Sequence, residues 1–175
     1  MKKSCTVKLL ILFVVVFVAF VGSAWAAEIS IKGNGTFNNN EKLIIDGDFS
    51  EQGAAWDNEK CVWWNGTSPY FVIDLGAVYQ VPDLVLQVDN NDNYQVDYSV
   101  DGTTFTPLVT VKADSGEIEW GMDTLSSAPG NTDTIEGMAF KPVIARFIKI
   151  YATEGDDSYS ISEIQFTMNP VSEKK

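Results

Sequence analysis

The chain predicts an all-β domain, a sandwich or a barrel, on three observations. Several short segments alternate apolar and polar residues with period two. Turn signals separate them at intervals of roughly 8–12 residues. No helical pattern persists beyond a turn or two.

Residues 1–26 stand apart from the rest. Lys2, Lys3 and Lys8 precede an unbroken apolar run from Leu9 to Val21, and small residues follow, ending in Ala24-Trp25-Ala26. A positive start, a short apolar stretch and an A-x-A site are the parts of a secretory signal peptide. The run is shorter than the roughly 20 residues that span a bilayer as a helix, which sets an uncleaved anchor second. The expected product is an exported protein, periplasmic or extracellular, with no transmembrane segment after signal cleavage. It begins near Ala27.

The first clear strand is Tyr70 to Leu75, an apolar run broken only by Asp74, and Leu84 to Val88 is the next. Tyr94-Gln95-Val96-Asp97-Tyr98-Ser99-Val100 alternates strictly, so one face is buried and the other wet. Asp101-Gly102 supplies a turn, and Phe105 to Val111 reads as the returning strand. Ala145 to Tyr151 and Ile161 to Thr167 pair across the polar loop Glu154-Gly155-Asp156-Asp157-Ser158. Asn34 to Asn40 is a polar loop, Ala113 to Gly137 is irregular, and residues 169–175 form a short charged tail. One domain therefore occupies residues 27–168, a length that buries a substantial core.

Charge and residue usage exclude several chemistries. The chain carries 12 basic and 24 acidic residues and a net charge of −12; the first 26 residues hold three of the lysines and no acid, so the remainder stands at −15. No nucleic acid is expected as a partner, and anionic lipid fits poorly, because phosphates are bound largely by Lys and Arg. The chain has no histidine, which removes Ser-His-Asp and Cys-His nucleophile systems and most zinc sites. Cys61 is the one cysteine outside the first 26 residues, so no internal disulfide forms there; it is read as a buried small apolar residue. Oxygen donors remain for metal chemistry, and they suit calcium. Nothing in the spacing of the carboxylates selects a catalytic pair, so the chain is not read as an enzyme.

A series of short strings, in order, resembles a known family. They are Ile45-Asp46-Gly47-Asp48 with Trp56, Tyr70 to Gly76, Tyr98 to Phe105, Ala145 to Ile150, and Ser162-Glu163-Ile164. Together they are similar to the discoidin, or coagulation factor 5/8 type C, family, which includes many bacterial carbohydrate-binding modules. The resemblance implies a galactose-binding-like jelly-roll β-sandwich. It also implies a structural calcium ion, Ca2+, held by the carbonyl of Leu43, by Asp46, Asp48 and Glu51, and by Ser162 (carbonyl) and Glu163. Asp48 and Glu51 stand where Asn and Thr are commoner, and both add negative charge. Asp46, Asp48 and Glu51 crowd like charges into six residues, an arrangement that a cation relieves.

For a ligand, the resemblance implies loops at one end of the sandwich and a glycan or cell-surface polysaccharide. Trp63-Trp64-Asn65-Gly66 is the leading candidate, because neighbouring strand residues point to opposite sides and two adjacent tryptophans cannot both enter the core. Trp120 and Tyr159 are further loop aromatics, and Asn90, Asn91 and Asp92 supply polar contacts. Trp56 is assigned to the core. Sugar-binding relatives often use His or Arg at this face, whereas this chain has only Arg146, in a strand. A secreted structural or cell-adhesion domain with a protein partner is the alternative.

Overall fold

The computed structural model describes residues 28–113, 115–118 and 120–171; the expected signal peptide lies outside them. Two antiparallel sheets face each other. The first holds β1 (Ser30–Asn34), β3 (Tyr70–Val81), β8 (Val143–Glu154), β5 (Asn93–Ser99) and β6 (Thr106–Val111) in that order, with β10 (Asn169–Pro170) also paired to β3. The second runs β2 (Val62–Asn65), β9 (Ser158–Phe166), β4 (Leu84–Asp89), β7 (Met122–Ser126). A single 3-10 turn, Glu41–Ile45, is capped by the Asn40 side chain, which accepts from the Lys42 N–H at 3.0 Å. The expected all-β sandwich is therefore the architecture. The six strands read from the sequence are all present, and four shorter ones, β1, β2, β7 and β10, escaped it. β10 takes the first two residues of the expected tail into the sheet.

Period-two alternation decides which side chains meet. Phe71, Ile73 and Leu75 of β3, Ile148 and Ile150 of β8, and Tyr94 and Val96 of β5 face inward against Val62, Leu84, Leu86, Val88 and Ile161 of the opposing sheet. Asp74 lies on the outer face. There its carboxylate accepts two hydrogen bonds from the Arg146 guanidinium at 2.9 and 3.0 Å and one from the Gly76 N–H at 2.8 Å. The Arg146 hydrogen bond holds the Asp74 carboxyl below the usual carboxylate range. Both are structural, as their strand positions suggested. The Asp-Gly turn opens into a longer loop, Val100–Phe105, because Asp101 Oδ1 collects the N–H groups of Thr103 and Thr104, both at 2.8 Å.

Trp64 and Tyr159 are core residues, at 1% and 2% exposure, not loop aromatics. They are directly opposed across β2 and β9. Trp64 packs edge-on against Phe71 at 5.2 Å between ring centroids and lies 6.0 Å from Tyr159. The pleat explains the correction: the Trp63-Trp64 pair splits, with Trp64 inward and Trp63 on the outer face. Cys61 is buried as expected, and burial pushes its thiol pKa up.

Truncation of Trp64 to Ala is expected to cost about 3–5 kcal/mol of stability, read from urea unfolding, since it empties the centre of an aromatic cluster. A loss under about 1 kcal/mol would contradict this packing role.

Candidate functional site

Four connections meet at one end of the sandwich: β2–β3, β4–β5, β6–β7 and β8–β9. Their hydrogen bonds show the convergence. The Asn65 amide donates to the Asp157 carbonyl at 2.9 Å, and the Gly66 N–H reaches the same oxygen at 3.3 Å. The Asn91 amide donates to Asp156 Oδ2 at 3.0 Å, and that of Asn93 to Glu154 Oε2 at 2.9 Å. The β6–β7 loop is drawn in by Asn90. Its Oδ1 accepts the Gly116 N–H at 3.2 Å, its amide donates to the Ile118 carbonyl, and its own N–H donates to the Gly121 carbonyl at 3.1 Å.

Asn90 and Asp92 are thus scaffold, at 1% and 0% exposure, not the ligand contacts expected of them. Asp92 Oδ1 accepts the Asp156 N–H at 3.1 Å and so sets the height of the β8–β9 loop. Gly155 makes that approach possible, because a Cβ there would lie 1.8 Å from the same oxygen. Asp123 does similar work beneath the β6–β7 loop: fully buried, its Oδ2 accepts the Glu117 and Ile118 N–H groups at 2.8 and 3.3 Å, while Oδ1 has no partner. Of the residues read from the sequence, Asn65 and Trp120 remain on the surface of this end. Trp120 is the most exposed large apolar side chain among the described residues, at 66%. Asp156 and Asp157 join them, exposed, with Asn91 partly so. The sequence reading missed these two acids as site residues, although the five-residue polar loop that carries them was its available signal.

Trp63 lies away from these loops. It is half-buried on the outer face of the four-stranded sheet, with Trp56 stacked edge-on at 5.1 Å. Trp56 is likewise half-buried, which corrects its assignment to the core.

The expected calcium donors lie where the 46–51 loop meets β9. Glu163 is 1% exposed and its Oε2 accepts the Gly47 N–H at 3.0 Å. Burial pushes its pKa up to about 7, with Asp46 and Asp48 adding to the rise. Asp46 Oδ1 accepts the Asp48 N–H at 2.9 Å, whereas Asp48 Oδ1 takes the Lys60 ammonium at 2.9 Å. Glu51 is exposed, and Leu43, half-buried in the 3-10 turn, precedes the loop. The Ser162 side chain accepts the Ser50 N–H at 2.9 Å. Hard oxygen donors are therefore present on one loop and one strand, the kind that calcium takes. Among the described residues no three acidic side chains are gathered closely enough to hold a metal as they stand. Lys60 supplies part of the compensating charge.

A comparison with family models matches residues 25–165 to the F5/8 type C domain. The chain belongs to that family. No curated protein matches it by sequence. Solved F5/8-like structures share its fold. One is the carbohydrate-binding module of AlyQ in complex with 4,5-unsaturated mannuronic acid, with 17% identity, TM-score 0.52 and coverage of 81% of this chain and 96% of that one. Another is a pectin-binding module at 19% identity, TM-score 0.51, with 80% and 91% covered. A third is a module from a family 31 glycoside hydrolase of Clostridium perfringens at 17% identity, TM-score 0.53, with 81% and 96% covered. At these identities the likeness is one of fold.

The acids under this F5/8 domain's loop end give it a pH signature. Burial raises Asp89 to about 6, with Asp156 adding, and raises Asp92 to about 7 against the hydrogen bond from the Asp156 N–H. A folded-state pKa above the unfolded value means that the folded protein holds the proton more tightly. The stability this contributes is complete below about pH 4 and is lost as pH rises to about 7. The melting temperature is therefore expected to fall across that window. Asp92→Asn, which keeps an acceptor for the Asp156 N–H, should flatten part of the fall. An unchanged slope in thermal melts would place the titration elsewhere.

Proposed function

We propose that this domain is an exported, non-catalytic module that binds a neutral glycan at its loop end. The observation that carries this is Trp120, two-thirds exposed beside a rim of amides and carboxylates. An indole face packs against the C–H side of a pyranose, and the amides of Asn65 and Asn91 with the carboxylates of Asp156 and Asp157 address its hydroxyls. A solvent-exposed indole is otherwise unfavourable, and here it is held over a loop pinned by Asn90 and Asp123.

Charge selects among sugars. Glu117, Glu154, Asp156 and Asp157 surround this end, with Lys112 at the base of the β6–β7 loop. Sugar carboxylates would meet repulsion there, so a neutral ligand fits better than a uronate. Modules of this fold have been solved with a uronic acid and with GalNAc-β-1,3-galactose, and the second is the nearer chemical guide. The lysines and apolar run of residues 1–26 support export, to the periplasm or beyond the cell. The acids here are exposed or spent on loop backbone, with no pair set apart for acid–base chemistry.

A structural calcium ion is the second part of the proposal. Leu43 and Ser162 carbonyls with Asp46, Asp48, Glu51 and Glu163 would hold it, Asp48 giving up Lys60. What supports it is the Glu163 carboxylate, buried against Gly47 with like charges nearby. Calcium in the millimolar range should then raise the melting temperature by about 5–10 °C over chelator, the scale of saturating a site in a domain of this size. Asp46→Ala should abolish the rise; identical melts with and without calcium would exclude the ion.

The glycan reading is tested on a glycan array. Hits sharing one neutral sugar, lost in a Trp120→Ala variant with an unchanged melt, support it. A blank array with folded protein overturns it and favours a protein partner.

A further inference from the structure

The loop-end site leaves Trp56 and Trp63 unexplained. On β2, Val62 and Trp64 enter the core, while Trp63 and Asn65 project onto the outer face of the four-stranded sheet. Trp56 comes from the loop that crosses this face and meets Trp63 edge to face, at 87° between ring planes. Both indoles keep part of their surface in water. The loop that carries Trp56 is already fixed by other means. The Ser50 N–H donates to Gln87 Oε1 at 2.7 Å, and the Gln87 amide returns a bond to the Ser50 carbonyl at 3.0 Å. Asn58 binds Ser50 Oγ at 2.9 Å and the Ala55 carbonyl at 2.6 Å. Two half-exposed tryptophans are more than this anchoring requires.

The backbone places them beside the first site. The Gly53 N–H donates to the Met122 carbonyl at 2.8 Å, and the Met122 N–H to the Ala54 carbonyl at 3.0 Å. Gly121, at φ +85°, lets the two segments close: a Cβ there would lie 2.8 Å from the Ala54 oxygen. Trp120 and Trp56 each sit two residues from this clamp. Along β2 the outer face continues from Trp63 to Asn65, two residues and about 7 Å on, and Asn65 is part of the loop end. Directly across from Trp63 on β9, Ser160 is fully buried, and its hydroxyl has no hydrogen-bond partner among the described residues. The same loop walls a hollow of about 250 Å³ lined by Ala54, Asn58 and Glu59 among others, which offers polar groups next to the aromatic pair.

We propose that Trp56 and Trp63 form a second sugar subsite, joined to the loop-end site through the Gly53–Met122 clamp and Asn65. The domain would then take an oligosaccharide of several residues in preference to a terminal monosaccharide. This rests on the glycan reading above. The indole faces left open by the edge-to-face pair receive the C–H side of a pyranose further along the chain, and Asn58 and Glu59 its hydroxyls. A purely structural pair, pinning loop to sheet, would leave affinity independent of glycan length.

The test is an array and titration with neutral oligosaccharides of graded length, from monosaccharide to hexasaccharide. In the wild type, affinity should climb with length. Trp56→Ala should lose about tenfold on the longer sugars and little on the shortest, while Trp120→Ala loses both. Should Trp56→Ala fold poorly, the wild-type protein supplies the answer through indole oxidation mapped by mass spectrometry. Trp56 and Trp63 should be protected by the longest bound sugar and left unprotected by the monosaccharide. Length-independent affinity with unprotected Trp56 overturns the second subsite and leaves the loop-end reading standing; a blank array overturns both.

Discussion

The Tyr94 hydroxyl ties the two sheets together, and much of the molecule is arranged around it. Tyr94 belongs to β5 of one sheet; its oxygen accepts the Ser160 N–H from β9 of the other at 3.0 Å and lies 3.1 Å from the Ser160 carbonyl. A fully buried phenol needs such partners, since an unpaired polar group in the core is costly. Burial pushes its pKa well above the ordinary phenol value, so it stays protonated. Around it Trp64, Phe71 and Tyr159 close the core at the loop end. Asp92 Oδ2 lies 3.4 Å from the same oxygen, which connects the core to the loops above.

From there the polar groups become scaffold. Asp92, Asn90 and Asp123 are buried yet hold backbone N–H groups of the β8–β9 and β6–β7 loops, so loops without regular structure are fixed in place. This division of labour leaves the exposed groups free: Trp120, Asn65, Asp156 and Asp157 stand on a rigid base. A binding surface built this way loses little conformational entropy when a ligand arrives. The raised pKa values of Asp89 and Asp92 follow from the same burial. They mark structural tension under the loops and do not by themselves mark catalysis.

The long strands were legible because period two is a local property. Tyr70 to Leu75 and Tyr94 to Val100 betray their faces in seven residues or fewer. β2 was illegible: four residues, Val62-Trp63-Trp64-Asn65, carry too little pattern, and only their pairing with β9 makes them a strand. β7 lies inside a stretch rich in Gly, Ser and Asp, where Asp123 reads as loop; its burial depends on two amides brought from six and five residues upstream. Among candidate site residues, Trp63 and Trp64 show the limit clearly. The sequence said that one of them turns outward, and the register against Ser160 and Tyr159 settled that it is Trp63.

Composition and periodicity alone determined an all-β chain, acidic, without histidine, and with Cys61 as a buried single thiol. The ordered strings from Ile45 to Ile164 determined the family. Only the tertiary structure decided which aromatics pack and which meet solvent, because that choice depends on strand partners distant in sequence. It buried Tyr159 and Trp64 and left Trp120 and Trp56 partly open. It also turned Asn90 and Asp92 from apparent ligand contacts into supports. A short polar side chain near a turn looks the same in sequence whether it faces water or the backbone of a loop some 60 residues away, and packing alone separates the two.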